Sequence, residues 1–165
     1  MYNKGEYVIY GLNGVCYIEG VTTLDIRDVP KDTEYYSLVP LNQGGKIYVK
    51  VESAHDKMRT IISKDDAEQL IEHIREVEPI KITNEKTVEE AYRRCMKTID
   101  CIEWVRLIKC IYHRRTEREE SGKKATAIDE KYMRMAEDAL YSELAIALDI
   151  PKKEVVNYIG SKLSE

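Results

Sequence analysis

Apolar residues change their spacing once along this chain, at Glu78-Pro79-Ile80. Upstream, Lys46-Ile47-Tyr48-Val49-Lys50-Val51 alternates, with Ile47, Val49 and Val51 toward one face and Lys46, Tyr48 and Lys50 toward the other. Downstream, Val88, Ala91, Tyr92 and Cys95 recur at three and four. Period two belongs to a half-buried strand and period 3.6 to an amphipathic helix. Pro79 also disfavours helical backbone at Glu78. The change predicts two domains, one at residues 1–78 and a second, all-helical one at 84–165.

The first domain is organised around Tyr7-Val8-Ile9-Tyr10 and Val15-Cys16-Tyr17-Ile18, which flank Gly11-Leu12-Asn13-Gly14. Two Tyr/Val/Ile runs either side of a Gly/Asn turn predict a hairpin. Residues 34–38, 46–51 and 58–62 supply three further short strands. A hairpin alone is marginal, so the five strands are expected to curl into a small barrel. Residues 22–33, polar and containing Pro30, read as a loop. Ser63 before Asp65-Asp66 reads as an N-cap. It opens a short helix with an Ala67, Leu70, Ile71 and Ile74 stripe that would lie against the barrel.

In the second domain a helix is expected over residues 87–97. A second follows over 101–118, with Ile102, Val105, Ile108 and Tyr112 on one stripe and Trp104, Leu107 and Ile111 beside it. Thr126-Ala127-Ile128-Asp129 resembles a capping box and opens a helix to Leu148. Ile150-Pro151 begins a last one, with Val155, Val156, Ile159 and Leu163 inward. Four helices of this size make a compact bundle. Trp104 shares a face with Ile108 and Ile111 and reads as core; beside Arg106 at the surface it would instead stack or wedge.

The formal net charge is −4, but it is unevenly spread. Residues 1–80 hold 9 basic against 14 acidic side chains, whereas residues 93–124 hold 10 against 5. A local positive surface on an acidic chain can meet phosphate. The four cysteines form no CxxC pair, so buried thiols are expected rather than a zinc or redox site. His55, His73 and His113 are scattered, no glycine-rich phosphate loop follows a strand, and Asp65-Asp66 is a helix start; no enzyme is indicated and no cofactor. No run has the apolar length of a membrane span, and a cytoplasmic, nucleoid-associated monomer is expected.

Gly5-x-x-Val8-Ile9-Tyr10-x-x-x-Gly14-Val15-x-x-Ile18, Tyr35-Tyr36-x-Leu38, Ile47-x-Val49 and Met58-Arg59 before Ile61-Ile62-Ser63 resemble the RNA-polymerase-interacting domain of the CarD and CdnL transcription regulators, shared with the transcription-repair coupling factor. Where that family has Pro and a common His in the turn, this chain has Gly11 and Asn13. Arg93-Arg94, Arg114, Ala125-Thr126-x-x-Asp129 and Glu143-Leu144-x-x-Ala147 resemble the family's helical half.

The resemblance implies an α+β chain, a small Tudor-like or SH3-like β-barrel followed by an all-helical bundle. It implies that the barrel holds the beta subunit of bacterial RNA polymerase, with Tyr35, Tyr36, Tyr48 and Arg59 as contact candidates through an exposed edge or face. The helical half would touch promoter DNA without base reading, through Arg93, Arg94, Lys97, Arg106, Lys109, Arg114 and Arg115. Such charges also form solvated i,i+4 pairs, as Glu89 with Arg93 can. Some family members wedge a Trp into DNA from a place near Val88 here, and Trp104 lies a helix later. The competing class is a module that docks on polymerase or another protein without functional DNA contact.

Overall fold

The computed structural model describes residues 1–164. Two compact units divide the chain, Met1–Ile61 and Ile62–Glu165. The first is a five-stranded antiparallel sheet of β1 (Tyr7–Tyr10), β2 (Val15–Thr23), β3 (Glu34–Pro40), β4 (Ile47–Lys50) and β5 (Met58–Thr60), in the order β4-β3-β2-β1-β5. The second is helical, with α1 (Lys64–Glu72), α2 (Val88–Lys97), α3 (Cys101–Glu120), α4 (Ala127–Leu148) and α5 (Val155–Leu163).

The hairpin of β1 and β2 forms where the Tyr/Val/Ile runs predict it, pairing Val8 with Cys16 and Ile9 with Val15. Its connection differs from the expected tight turn. Gly11–Asn13 make one turn of 3-10 helix, and positive φ falls on Gly11 (46°) and Gly14 (68°) rather than on Asn13. A side chain at Gly14, with ψ −142°, would be strained there whatever the space around it. β2 runs on to Thr23, past the expected loop start, because a bulge between Ile18 and Gly20 lets Thr22 and Thr23 continue pairing with Tyr35 and Glu34.

One face of the sheet closes over a core of Val8, Cys16, Ile18, Tyr36, Leu38, Val49, Ala54 and Met58. Tyr2 pins the N-terminus to it: its backbone N–H donates to the Tyr36 hydroxyl at 3.0 Å and its own hydroxyl donates to the Met58 carbonyl at 3.1 Å. A 3-10 turn, Val51–Asp56, carries the chain from β4 toward β5.

In the helical unit, α3 and α4 form the central pair, with α1, α2 and α5 packed on α4. The compact units therefore meet between residues 61 and 62, earlier than Pro79. The short helix α1 was expected against the strands, but it packs on α4 and α5. Its stripe of Ala67 and Ile71 is buried, and an apolar stripe states only that a partner exists. The Ser63 cap is present, its side chain accepting from the Asp66 N–H at 3.0 Å.

Two expected stripes are corrected by burial. On α3 the inward residues are Trp104, Val105, Leu107, Cys110 and Ile111, whereas Ile102 and Tyr112 are about half exposed. On α5 only Val155 is fully inward, and Val156 faces out, because a 3-10 turn at Lys152–Glu154 delays the helix start beyond Pro151. Trp104 is wholly buried, at 0 % exposure.

Candidate functional site

The four tyrosine and arginine candidates of the sheet do not assemble into one site. Tyr35 and Tyr36 are buried, Tyr36 inside the sheet core with its ring edge-on to Tyr2 at 5.7 Å between centroids. Both side chains are therefore enclosed in the protein rather than presented on its surface. Tyr48 is 44 % exposed on β4, and Arg59 is half-buried on β5, donating to its neighbour's carbonyl, Thr60 O, at 3.1 Å. These two strands terminate opposite ends of the hydrogen-bonded ladder.

β4 is an end strand of the ladder. It is paired only to β3, so its outer row of backbone groups has no strand beside it. Tyr48 stands opposite Ser37, and Lys50 opposite Tyr35, both projecting from the same face. At the near end Lys46 Nζ lies 3.1 Å from Glu19 Oε2, and Ser37 Oγ donates to the same oxygen at 3.0 Å. The hydrogen bond from Lys46, then that from Ser37, holds the Glu19 carboxyl below its ordinary range. Lys50 is an exposed cation on this edge that the candidate set omitted. Its signal was the alternation Lys46, Tyr48, Lys50, from which the aromatic alone was taken.

The seven cations of the helical unit fall into two groups. Arg106, Lys109 and Arg114 are turned onto the protein itself. Arg106 donates to the Glu78 carbonyl at 3.1 Å and to Glu103 at 2.9 Å. Lys109 Nζ donates to the carbonyls of Ile74 and, at 2.7 Å, Val77. Arg114 grips Glu85 with both terminal nitrogens, at 2.7 and 3.1 Å, and its Nε donates to Asp129 Oδ2 at 3.1 Å.

Asp129 is fully buried, and it is more than the capping residue its motif announces. Its backbone N–H does donate to Thr126 Oγ1 at 3.1 Å. Its carboxylate, however, also accepts from the Tyr92 hydroxyl at 2.7 Å. Burial and that bond push the Tyr92 phenol far above its ordinary value, while the bond to Glu85 raises the Arg114 guanidinium and depresses Glu85. This is a structural network in the heart of the unit, joining Glu85, α2, α3 and α4.

A second buried carboxylate, Glu143 on α4, accepts from the Ile62 N–H at 2.8 Å and from Cys101 Sγ at 3.0 Å. The four cysteines are buried thiols, with no disulfide among the described residues. Burial pushes the Cys16 and Cys95 thiols up to about 11, away from nucleophilic reactivity.

Arg93, Arg94, Lys97 and Arg115 keep access to solvent. Arg93 pairs with Glu89 at 3.1 Å and Arg94 with Glu90 at 3.6 Å across one turn of α2. Such surface pairs are weak and exchange readily. Arg115 lies apart from them, on the wall of an open hollow of about 740 Å³ at the α3–α4 hairpin. That hollow also presents Lys123, Lys124 and Arg134, three cations outside the candidate set. No cluster of His, Cys, Asp and Glu among the described residues has the makings of a metal site. No helix among them is long and apolar enough to cross a membrane.

No curated protein matches the chain. A family model described as the CarD-like/TRCF RID domain matches residues 2–62, which is the sheet unit almost residue for residue. Domains of this family are non-catalytic interaction modules. In this segment the fold is a small antiparallel sheet with β4 and β5 at the ends of its ladder, and residues 2–62 are similar to the CarD-like/TRCF RID domain.

Proposed function

We propose that this protein is a bacterial transcription regulator: the sheet unit docks on the beta subunit of RNA polymerase, and the helical unit rests on promoter-DNA phosphates to modulate open-complex stability at initiation. The observation that carries the reading is the open edge strand β4, with Tyr48 and Lys50 exposed on it, inside a segment that matches the CarD-like/TRCF RID domain. A partner strand adding to that edge gains main-chain hydrogen bonds, while Tyr48 and the flanking lysines select it.

Curling of the sheet into a Tudor-like barrel is part of the reading. The short connection between the two ends of the ladder, a 3-10 turn at Val51–Asp56 between β4 and β5, supports that curl.

The functional domains of the proposal are the sheet unit, for polymerase, and the helices from residue 84 onward, for DNA, in a cytoplasmic, nucleoid-associated monomer. The test is calorimetry of the full chain against the beta subunit, followed by open-complex lifetime with and without the protein. Absence of beta-subunit binding by the folded chain sinks the proposal. A second reading, a module that docks on protein alone, is favoured by the inward commitment of Arg106, Lys109 and Arg114. Crosslinking from the helical unit to promoter DNA in the assembled complex separates the two, since the protein-only module gives none.

A further inference from the structure

Four elements of the helical unit meet without filling the space between them. The chain leaves α1 through a 3-10 turn, Ile74–Glu76. Lys109 of α3 donates to the carbonyls of Ile74 and, at 2.7 Å, Val77, so two of its three ammonium donors pin that turn to α3. Arg75 donates to the Leu163 carbonyl at 2.6 Å, which ties the same turn to the end of α5. Both ties border a hollow of about 370 Å³. Only Val155 of α5 is fully inward, so Ile159 and Leu163 stay half-buried and leave the hollow open.

The lining is aliphatic, with Ile74 from the turn, Val105 and Ile108 from α3, Leu140 from α4, and Ile159 and Leu163 from α5. Its polar side chains are Arg75, Lys109 and Tyr141, and among the described residues no carboxylate lines it. Arg75 also borders two neighbouring hollows, one holding Glu78 and the other Glu68 with Glu72, so the carboxylate-free space ends at Arg75. Arg75 spends one of five N–H donors on Leu163. Among the described residues the Tyr141 hydroxyl has no hydrogen-bond partner, although a largely enclosed phenol usually finds one. Burial, and then Glu137, pushes the phenol above its ordinary value, so it remains a donor at neutral pH.

We propose that this hollow binds one aliphatic carboxylate, its hydrocarbon tail among α3, α4 and α5 and its head held by Arg75 and Tyr141. The volume is that of a small-ligand site, apolar with a few polar groups that fix orientation. Two cations without a carboxylate select an anion, and a carboxylate accepts from a guanidinium and a phenol at once. Branched aliphatic walls suit a flexible chain more than a planar ring. A docking helix would need the apolar lining to run on past Arg75, where Glu68, Glu72 and Glu78 line the neighbouring hollows instead. The inference is independent of the polymerase and DNA readings, because Arg75 and Tyr141 belong to neither of those surfaces.

The experiment is calorimetry of the full-length protein with decanoate, kept below its micelle-forming concentration, beside 1-decanol, which keeps the tail, and butyrate, which keeps the head. Decanoate is expected to saturate at one equivalent and to raise the melting temperature with concentration, with both controls at least about tenfold weaker. Tyr141→Phe keeps the ring and removes the donor, and is expected to weaken decanoate about fivefold, the worth of one net hydrogen bond. Arg75→Gln changes an exposed side chain and is expected to weaken it at least about tenfold, as loss of a charged donor does. Ligand-free melting curves of both variants establish that they fold. Absence of saturable binding, detergent-like uptake of many equivalents, equal affinity for 1-decanol, or wild-type affinity in either variant overturns the inference.

Discussion

Trp104 and Asp129 show how differently a residue can be buried. Trp104 is enclosed at 0 % exposure among the inward residues of α3. Trp104→Ala should cost about 3 to 5 kcal/mol by emptying a large aromatic site, measurable by denaturant titration. Asp129 is equally enclosed, but its carboxylate is held by Tyr92 and Arg114. Arg114→Gln strands that charge, and a loss of about 3 to 5 kcal/mol is expected, the usual cost of removing one partner of a buried pair. Glu85, the outer partner, has a 74 % exposed side chain, so Glu85→Gln should cost under about 1 kcal/mol. Its pKa is depressed below the ordinary 4.5 by Arg114. The stability it adds is therefore present above pH 4.5 and lost as pH falls through the folded value. Melting curves of wild type and Glu85→Gln should converge as pH is lowered through that window; a constant difference would contradict the linkage. The cap role of Asp129 was legible in Thr126-x-x-Asp129. Its burial was not, because the motif says nothing of which side chains the neighbouring helices bring to the carboxylate.

At the scale of elements, periodicity located the five strands and the helices, and it misassigned those faces that depend on who packs against them. On α3, Ile102 and Tyr112 were placed inward because they extend an apolar stripe, but twenty residues of helix turn the ends of that stripe out to solvent. α4 ends at Asp149, which takes the left-handed conformation at φ 55° and ψ 49° where glycine is usual. Asp149→Gly is expected to stabilise by several tenths to about 1 kcal/mol, the left-handed penalty being removed at an exposed site, and thermal melting would show it. For β4 the expectation concerns binding. Lys50→Glu should slow association with the beta subunit and change its salt dependence, as a rim charge does. Tyr48→Ala should speed dissociation. Tyr36→Ala should instead unfold the sheet core. Equal effects of Lys50→Glu and a distant charge reversal such as Glu72→Lys would remove β4 from the interface.

Across the whole molecule, the sequence by itself determined the order of structure, strands and then helices, with the hairpin, the Ser63 and Thr126 caps and the buried character of Trp104. These follow from local rules: alternation, 3.6-residue periodicity and side-chain oxygens that satisfy the first N–H groups of a helix. It also carried the resemblance of the strand-forming half, which the family match over residues 2–62 bears out. Only the tertiary structure decided which unit α1 joins, since an apolar stripe demands a partner without naming one. It alone decided which tyrosines are free, because Tyr36 and Tyr48 are alike in type and differ in whether another strand and the core lie over them. The division of the cations was decided there too. A run of ten basic residues in positions 93–124 gives a charge, but the carbonyls of Ile74 and Val77, the carboxylates of Glu85 and Asp129, and the turn at Gly122 determine which of those charges the protein keeps for itself and which it offers outward. Electrostatic commitment is settled over a few ångströms between residues far apart in the chain, a distance that folding sets and sequence order does not.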